Sequence, residues 1–353
     1  MNIAVLVPFF NNKVSGFEEF IVETISHFVD QHPGERFFIL TEPGVSDGPV
    51  LPANSTVIIT KSSNNALLQK IWWRIKLPSI LKKLKADLCI SFDEGCSLTS
   101  VIPQIIFCRE PGKLKPLFIK KARSVFVASQ AVKEQLITLS RTPAEKIFII
   151  QPAPAKYFLV ADIATKEEIK KEYSEGREFF LFNSSFQKQA DIIDLLKSFS
   201  HFKKRQQSSF QLLIFADPDS FFEKTLSAYK YRDDVKFLGA KDKNSSSAIT
   251  AAAYAVVLPF NANEDMIAAL NAMRSGVPVI ATRNSVVNEI AGDAASYAEK
   301  ETKDIGERMI QLYTNEEFRF GLIEKGKDRV KEFTHGKAAA SLWQFMMRAC
   351  KMN

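Results

Sequence analysis

The chain has 353 residues, 46% of them hydrophobic, and a formal net charge of +7. That length supports two cores rather than one. No apolar run reaches the roughly 18 residues needed to cross a bilayer, and Cys89, Cys96, Cys108 and Cys350 lack metal-type spacing, which reads as reduced, mostly buried thiols of a cytosolic protein. A positive charge attracts nucleotide phosphates, lipid headgroups and nucleic acid alike and does not choose among them.

Strands and helices alternate along the chain, the pattern of a parallel sheet covered on both faces. Met1 to Phe10 carries neither a basic n-region nor a small-residue cleavage site, so Asn2 to Pro8 reads as a buried first strand rather than a leader. A loop to Ser15 follows. Gly16 then opens a helix with Phe17, Phe20, Ile21, Thr24 and Phe28 at helical spacing. Arg36 to Leu40 and Ser55 to Ile59 are strands, and Leu67 to Lys85 is a helical pair broken at Pro78. Asp87 to Phe92, Gln104 to Phe107 and Ser124 to Ala128 are strands. Ser129 is placed to cap the helix Gln130 to Leu139. Ile147 to Ile150 closes this half, and Gln151-Pro152-Ala153-Pro154 reads as a linker.

The second half opens with a helix, Lys166 to Tyr173, and has strands at Phe179 to Asn183, Phe210 to Phe215, Val235 to Leu238, Ala255 to Leu258 and Val279 to Ala281. Ala190 to Phe202 and Ala268 to Ser275 are its clearest helices, and Thr302 to Met347 is almost wholly helical. In doubly wound sheets ligands bind outside the carboxyl ends of the strands.

Five segments, in this order, carry a family resemblance: LFNSSFQKQADII, VKFLG (Val235 to Gly239), AVVLPF (Ala255 to Phe260), NAMRSGVPVIAT (Asn271 to Thr282) and NEIAGDAASY (Asn288 to Tyr297). Together they resemble the nucleotide-sugar half of glycosyltransferase family 4, the group 1 glycosyl transferases of GT-B fold. The first half matches more loosely, through SGFEEFIVETI (Ser15 to Ile25) and SVFVASQAVKEQLI followed by EKIFII. The resemblance implies two doubly wound Rossmann-like domains facing across a cleft. Residues 1–152 would be acceptor-side, residues 153–335 would hold the donor, and residues 336–353 would form a C-terminal helix able to return to the first domain.

The same resemblance assigns a donor site. Asn183, Ser184 and Lys188 stand where the family holds the diphosphate; Lys188 keeps one of two cations and Ser184 replaces the other. Gly239 and Ala240 fall at the nucleobase loop. Asn263 and Asn271 occupy the positions of the two glutamates of the family's E-x7-E motif, with Glu264 one residue from the first. Asp265 and Met266, followed by Ile267, take the places of glycines that let backbone approach a sugar. Only Gly16 survives of a Gly-Gly turn, and Arg109 with Glu110 replaces a histidine of the first domain; the pair reads first as a local ion pair in a turn, and otherwise as an arginine that contacts phosphate or an acidic acceptor. Asn271 offers one acceptor oxygen where a carboxylate offers two. His27, His32, His201 and His335 read as scattered structural residues.

Lys70, Arg74, Lys76, Lys82, Lys83 and Lys85 surround Trp72 and Trp73, and Lys113, Lys115, Lys120, Lys121 and Arg123 form a second basic cluster. Two readings stand: an amphipathic helix with its tryptophans in the core, or a contact with an anionic membrane. No nucleic-acid motif accompanies the charge.

The function expected is transfer of a sugar, with retention, from a nucleotide-diphosphate sugar to a glycan or lipid-linked acceptor. It needs no cofactor or metal beyond that co-substrate and fits a cytoplasmic protein, peripheral to the inner face of the membrane through its basic N-terminal half. The alternative is an inactive GT-B homologue that serves as a binding or assembly partner. A GT-B sugar-nucleotide epimerase is the weaker third reading.

Overall fold

The computed structural model describes residues 1–10, 16–43, 51–60, 71–183, 189–217, 220–259, 263–283, 285–299 and 302–351. The chain divides into two compact units: unit 1 is Met1–Ala153 with Thr334–Asn353, and unit 2 is Pro154–Phe333.

Unit 1 is built on β1 (Asn2–Leu6), β2 (Arg36–Thr41), β3 (Ser55–Ile59), β4 (Leu88–Ser91), β5 (Gln104–Phe107), β6 (Ser124–Val127) and β7 (Ile147–Ile149). Their order is β3-β2-β1-β4-β5-β6-β7, every pair parallel. β1 and β4 lie side by side, Ile3 opposite Leu88 and Val5 opposite Ile90. The order of strands reverses there, so the crevice of this sheet lies at their carboxyl ends. Central strands such as Leu88–Ser91 are buried along their whole length, as expected for strands covered on both faces.

Four described helices belong to this stretch: α1 (Gly16–Asp30), α2 (Leu77–Lys83), α3 (Pro116–Lys121) and α4 (Gln130–Ser140). Ser129 caps α4 by accepting from the Val132 amide at 3.2 Å. The break expected at Pro78 does not occur. A π-helical turn, Trp72–Lys76, runs directly into α2, with the Leu77 amide bonded to the Trp72 carbonyl. Proline has no N–H and crowds the carbonyl four residues back. That carbonyl, of Arg74, accepts the Thr99 hydroxyl at 2.6 Å instead. Trp72 and Trp73 are buried, so the core reading of this segment holds for the tryptophans.

Unit 2 holds β8 (Phe179–Phe182), β9 (Gln211–Ile214), β10 (Val235–Phe237), β11 (Ala255–Leu258), β12 (Val279–Thr282) and β13 (Ala295–Ala298). They form a parallel sheet of order β10-β9-β8-β11-β12-β13. Its helices are α5 (Ile163–Ser174), α6 (Gln189–Gln206), α7 (Ser220–Ser227), α8 (Lys243–Ala252), α9 (Asp265–Arg274), α10 (Ser285–Ala291), α11 (Thr302–Thr314) and α12 (Glu316–Val330). α5 starts before the expected Lys166 because the Asp162 carboxylate accepts from the Thr165 amide, which satisfies a donor that has no partner inside the helix. α8, the helix that the alternation of elements places between β10 and β11, is started by Asp242, which accepts from the Asn244 and Ser245 amides.

The last helix, α13 (His335–Lys351), belongs to unit 1 and lies on α1. His335 Nε2 stands 2.8 Å from the Glu23 carboxylate, and Trp343 stacks on His32 at 3.8 Å. The His27 and His335 rings are stacked 5.8 Å apart. Three histidines that look scattered in the sequence therefore share one helix seam. None of the four cysteines forms a disulfide, and burial pushes the Cys89 and Cys96 thiols up to about 12, which leaves them poor nucleophiles.

Candidate functional site

In unit 2 the order of strands reverses between β8 and β11, which are paired with Val256 opposite Leu181. The chain leaving β8 reaches Asn183, which is half-buried. Ser184 and Lys188 lie outside the described residues. The chain leaving β11 passes Pro259, and the Thr282 hydroxyl at the end of β12 donates to the Pro259 carbonyl. That bond ties the exits of two neighbouring strands just before α9.

Asn263 and Glu264 are half-buried in the turn that opens α9. Asp265, Met266 and Ile267 are buried. The side chains of Met266 and Ile267 therefore serve the core, and what the start of this helix can present to a ligand is main chain. The first amides of a helix have no acceptor four residues back, and the helix dipole favours an anion there. The Ile267 amide is already turned back onto the Glu264 carbonyl at 3.0 Å.

Asn271 is buried two turns further along α9, where its Oδ1 accepts from the Ala155 amide at 3.0 Å. Arg274 continues this hold, donating through Nε to the Phe158 carbonyl at 2.9 Å. The oxygen expected to receive a ribose hydroxyl thus anchors the segment that enters unit 2, while the amide Nδ2 remains as a donor group. Replacing Asn271 by alanine leaves the buried Ala155 N–H unsatisfied. The expected cost is about 1–3 kcal/mol in urea unfolding, with Asn271→Asp recovering most of it; equal stability of the alanine variant and the parent would contradict this anchoring role.

At the carboxyl end of β10, Gly239 has φ +65°, and its amide donates to the Ala216 carbonyl at 3.2 Å. A Cβ there would come within 2.6 Å of Asp217 Oδ1. The left-handed backbone and the nearby carboxylate both favour glycine. Ala240, the next residue, is exposed.

The carboxyl edge of unit 1 is richer in charge than the sequence suggested. Gly16 enters α1 with φ +56°, and Glu18 and Glu19 fill the first turn of that helix. Arg109, after β5, places Nη1 3.6 Å from the Glu18 carboxylate, and Glu110 accepts from Lys113 at 2.8 Å. The ion pairs of these two neighbours are therefore made with Glu18 and Lys113. Glu94, itself at φ +48°, accepts both the Arg109 and the Glu110 amides through Oε1, at 2.7 and 2.9 Å. One carboxylate thus clamps the exits of β4 and β5.

Asp93, beside it, was not singled out in the sequence. Burial first, then the charges of Glu42 and Glu94, push its carboxyl up to about 7. A carboxyl group that titrates near neutrality at a strand-end crevice is a common mark of functional sites. Its only sequence signal is the Asp-Glu-Gly run at the end of a strand segment, Leu88 to Phe92, that is apolar but for Ser91.

Residues 164–329, nearly all of unit 2, match the family model described as glycosyl transferases group 1. No curated protein matches the chain in sequence. Among solved structures, a glycosyltransferase from Rickettsia africae ESF-5 is 13% identical, with TM-score 0.75 over 100% of this chain and 99% of that one. Anabaena Alr3699/HepE in complex with UDP-glucose is 13% identical, with TM-score 0.75 over 99% and 100%. WaaG, a glycosyltransferase involved in lipopolysaccharide biosynthesis, is 13% identical, with TM-score 0.71 over 97% and 99%. The fold is GT-B: two doubly wound Rossmann-like units, the second matching the group 1 family model.

Proposed function

We propose that this chain is a glycosyltransferase that moves a sugar, with retention, from a nucleotide-diphosphate sugar to a glycan or lipid-linked acceptor. The observation that carries this reading is α9, which begins where the strand order of unit 2 reverses, inside the segment that matches the group 1 family model. The solved complex of Anabaena Alr3699/HepE with UDP-glucose supports a uridine nucleotide as the first donor to test.

In this reading unit 2 holds the donor. Asn183, Ser184 and Lys188 follow β8 and contact the diphosphate together with main-chain amides at Asp265 and Met266, while Ile267 backs that turn from the core. Gly239 and Ala240 border the nucleobase, while Asn263 and Glu264 meet the sugar. Asn271 contributes its amide donor, its oxygen already holding the Ala155 amide. Unit 1 holds the acceptor, with Gly16, Arg109 and the neutral-range carboxyl of Asp93 at its strand ends. Departure of the diphosphate is helped by fixed dipoles and cations aimed at the charge it develops.

The second reading, a sugar-nucleotide-binding homologue without turnover, draws on two contacts: Asn271 with Ala155 and Arg109 with Glu18. Thermal shift with UDP-, GDP-, ADP- and dTDP-sugars, followed by assay of released nucleotide, separates the two. A ligand at a hundred times its Kd adds about 2.7 kcal/mol of stability. A shift with UDP-glucose and release of UDP in the presence of acceptor is the expected result. A shift without release would establish the second reading, and no shift with any donor would remove both.

A further inference from the structure

We propose that unit 1 docks on an anionic lipid bilayer through one outer layer made of the segment Trp72–Lys83, the loop 97–103 and α3. The loop and α3 each touch the segment Trp72–Lys83, and Cys96, just before the loop, touches α3. The Thr99 hydroxyl donates to the Arg74 carbonyl at 2.6 Å. Cys96 Sγ lies 3.6 Å from the Phe118 carbonyl, and the Trp73 and Phe118 rings are 5.6 Å apart. Trp73 also lies against Gly95, where a Cβ would come within 2.7 Å of the ring.

Two features of this layer point to the same partner. The first is charge. Residues 71–85 contribute Arg74, Lys76, Lys82, Lys83 and Lys85, and residues 113–123 contribute Lys113, Lys115, Lys120, Lys121 and Arg123. Neither stretch contains an acidic residue, nor does the loop 97–103 between them. Six of these cations stand in the layer itself and four flank it, ten against a whole-chain net charge of +7, so the rest of the chain is net acidic. The basic character of the protein belongs to this layer and the residues that flank it.

The second feature is aliphatic. Each piece sets a large hydrophobic side chain into solvent: Ile75 at 64% exposure, Val101 at 97% and Leu117 at 65%. The tryptophans that suggested an interfacial helix in the sequence are buried; the protruding groups are these three instead. Aliphatic side chains ringed by lysines gain by entering the boundary between headgroups and acyl chains while the ammonium groups meet lipid phosphates. A nucleic acid would gain from exposed aromatic rings or arginine forks, whereas eight of the ten cations are lysines and both tryptophans are inside.

The inference goes beyond sugar transfer and does not rest on it, since docking needs no donor. The full chain is sedimented with phosphatidylcholine vesicles, with and without phosphatidylglycerol. Binding is expected to require phosphatidylglycerol and to weaken as salt rises. The variant Ile75→Ser, Val101→Ser, Leu117→Ser is expected to lower binding at least about tenfold. Lys76→Glu with Lys120→Glu is expected to do the same, while Lys204→Glu with Lys224→Glu, on exposed positions of unit 2, leaves it unchanged. All these positions are exposed, so the variants should melt with the parent protein. The proposal is overturned by equal binding to neutral vesicles, by no vesicle binding, or by binding that the serine variant leaves intact. Retention on a polynucleotide that only the charge reversal abolishes, without vesicle binding, would overturn it in favour of a nucleic-acid partner.

Discussion

Asp93→Asn is expected to make the protein more stable than the parent at pH 8, and equally stable near pH 4. The folded environment raises this carboxyl from 3.8 to about 7, through burial and the neighbouring charges of Glu42 and Glu94. Between those two values the folded state holds a proton that the unfolded chain has released. Stability is therefore fully present below about pH 4 and falls as pH rises through 7. The rise corresponds to roughly 4 kcal/mol at ~1.4 kcal/mol per pH unit, as a ceiling. Asparagine copies the protonated form and has nothing to lose. Urea unfolding of both proteins from pH 4 to 8 should give curves that coincide at the acid end and separate through neutrality. Parallel curves would mean that Asp93 titrates as an ordinary surface carboxylate.

Gly306→Ala is expected to destabilise unit 2 by about 1–3 kcal/mol. Gly306 sits in α11 where that helix meets α6, and a Cβ there would come within 2.7 Å of the Ser198 carbonyl oxygen and 2.9 Å of His201 Cβ. Alanine is normally the better helix residue by ~1 kcal/mol, so a loss of stability would identify the backbone contact as its cause. The same seam holds the His201–Glu307 pair at 2.7 Å and the edge-on Phe202–Tyr313 rings, which would have to move apart. A variant as stable as the parent in urea unfolding would show that the seam has room to spare.

Much of this fold is legible in the residues. Ser55–Ile59, Gln104–Phe107 and Ala255–Leu258 form strands over the expected residues. The last two lie inside their sheets, where strands are largely apolar: Ala255–Leu258 throughout and Gln104–Phe107 but for Gln104. Ser129 declares the start of its helix by side-chain chemistry alone. The bounds of short polar helices such as Lys243–Ala252 were not legible, because their ends are set by an N-cap and by packing rather than by periodicity. Pro78 misled for a related reason: the carbonyl it frees finds Thr99, a partner supplied by another segment.

The site was legible in place but not in detail. The switch point and the turn before α9 follow from the alternation of elements. The work of Asn271 did not, because its partner Ala155 is 116 residues away. Nor did the neutral-range carboxyl of Asp93, set by burial and by Glu42 on another strand exit. The sequence by itself determined most of the strands and helices, and through them the doubly wound class of each unit, because periodicity and capping act over a few residues; β13 (Ala295–Ala298) was not among the strands read from it. Only the tertiary structure decided which tryptophans are inside, which carboxyl holds its proton and which asparagine anchors the chain. Those properties depend on neighbours that strand order brings together across long stretches of chain, and burial and charge act through space rather than along the sequence.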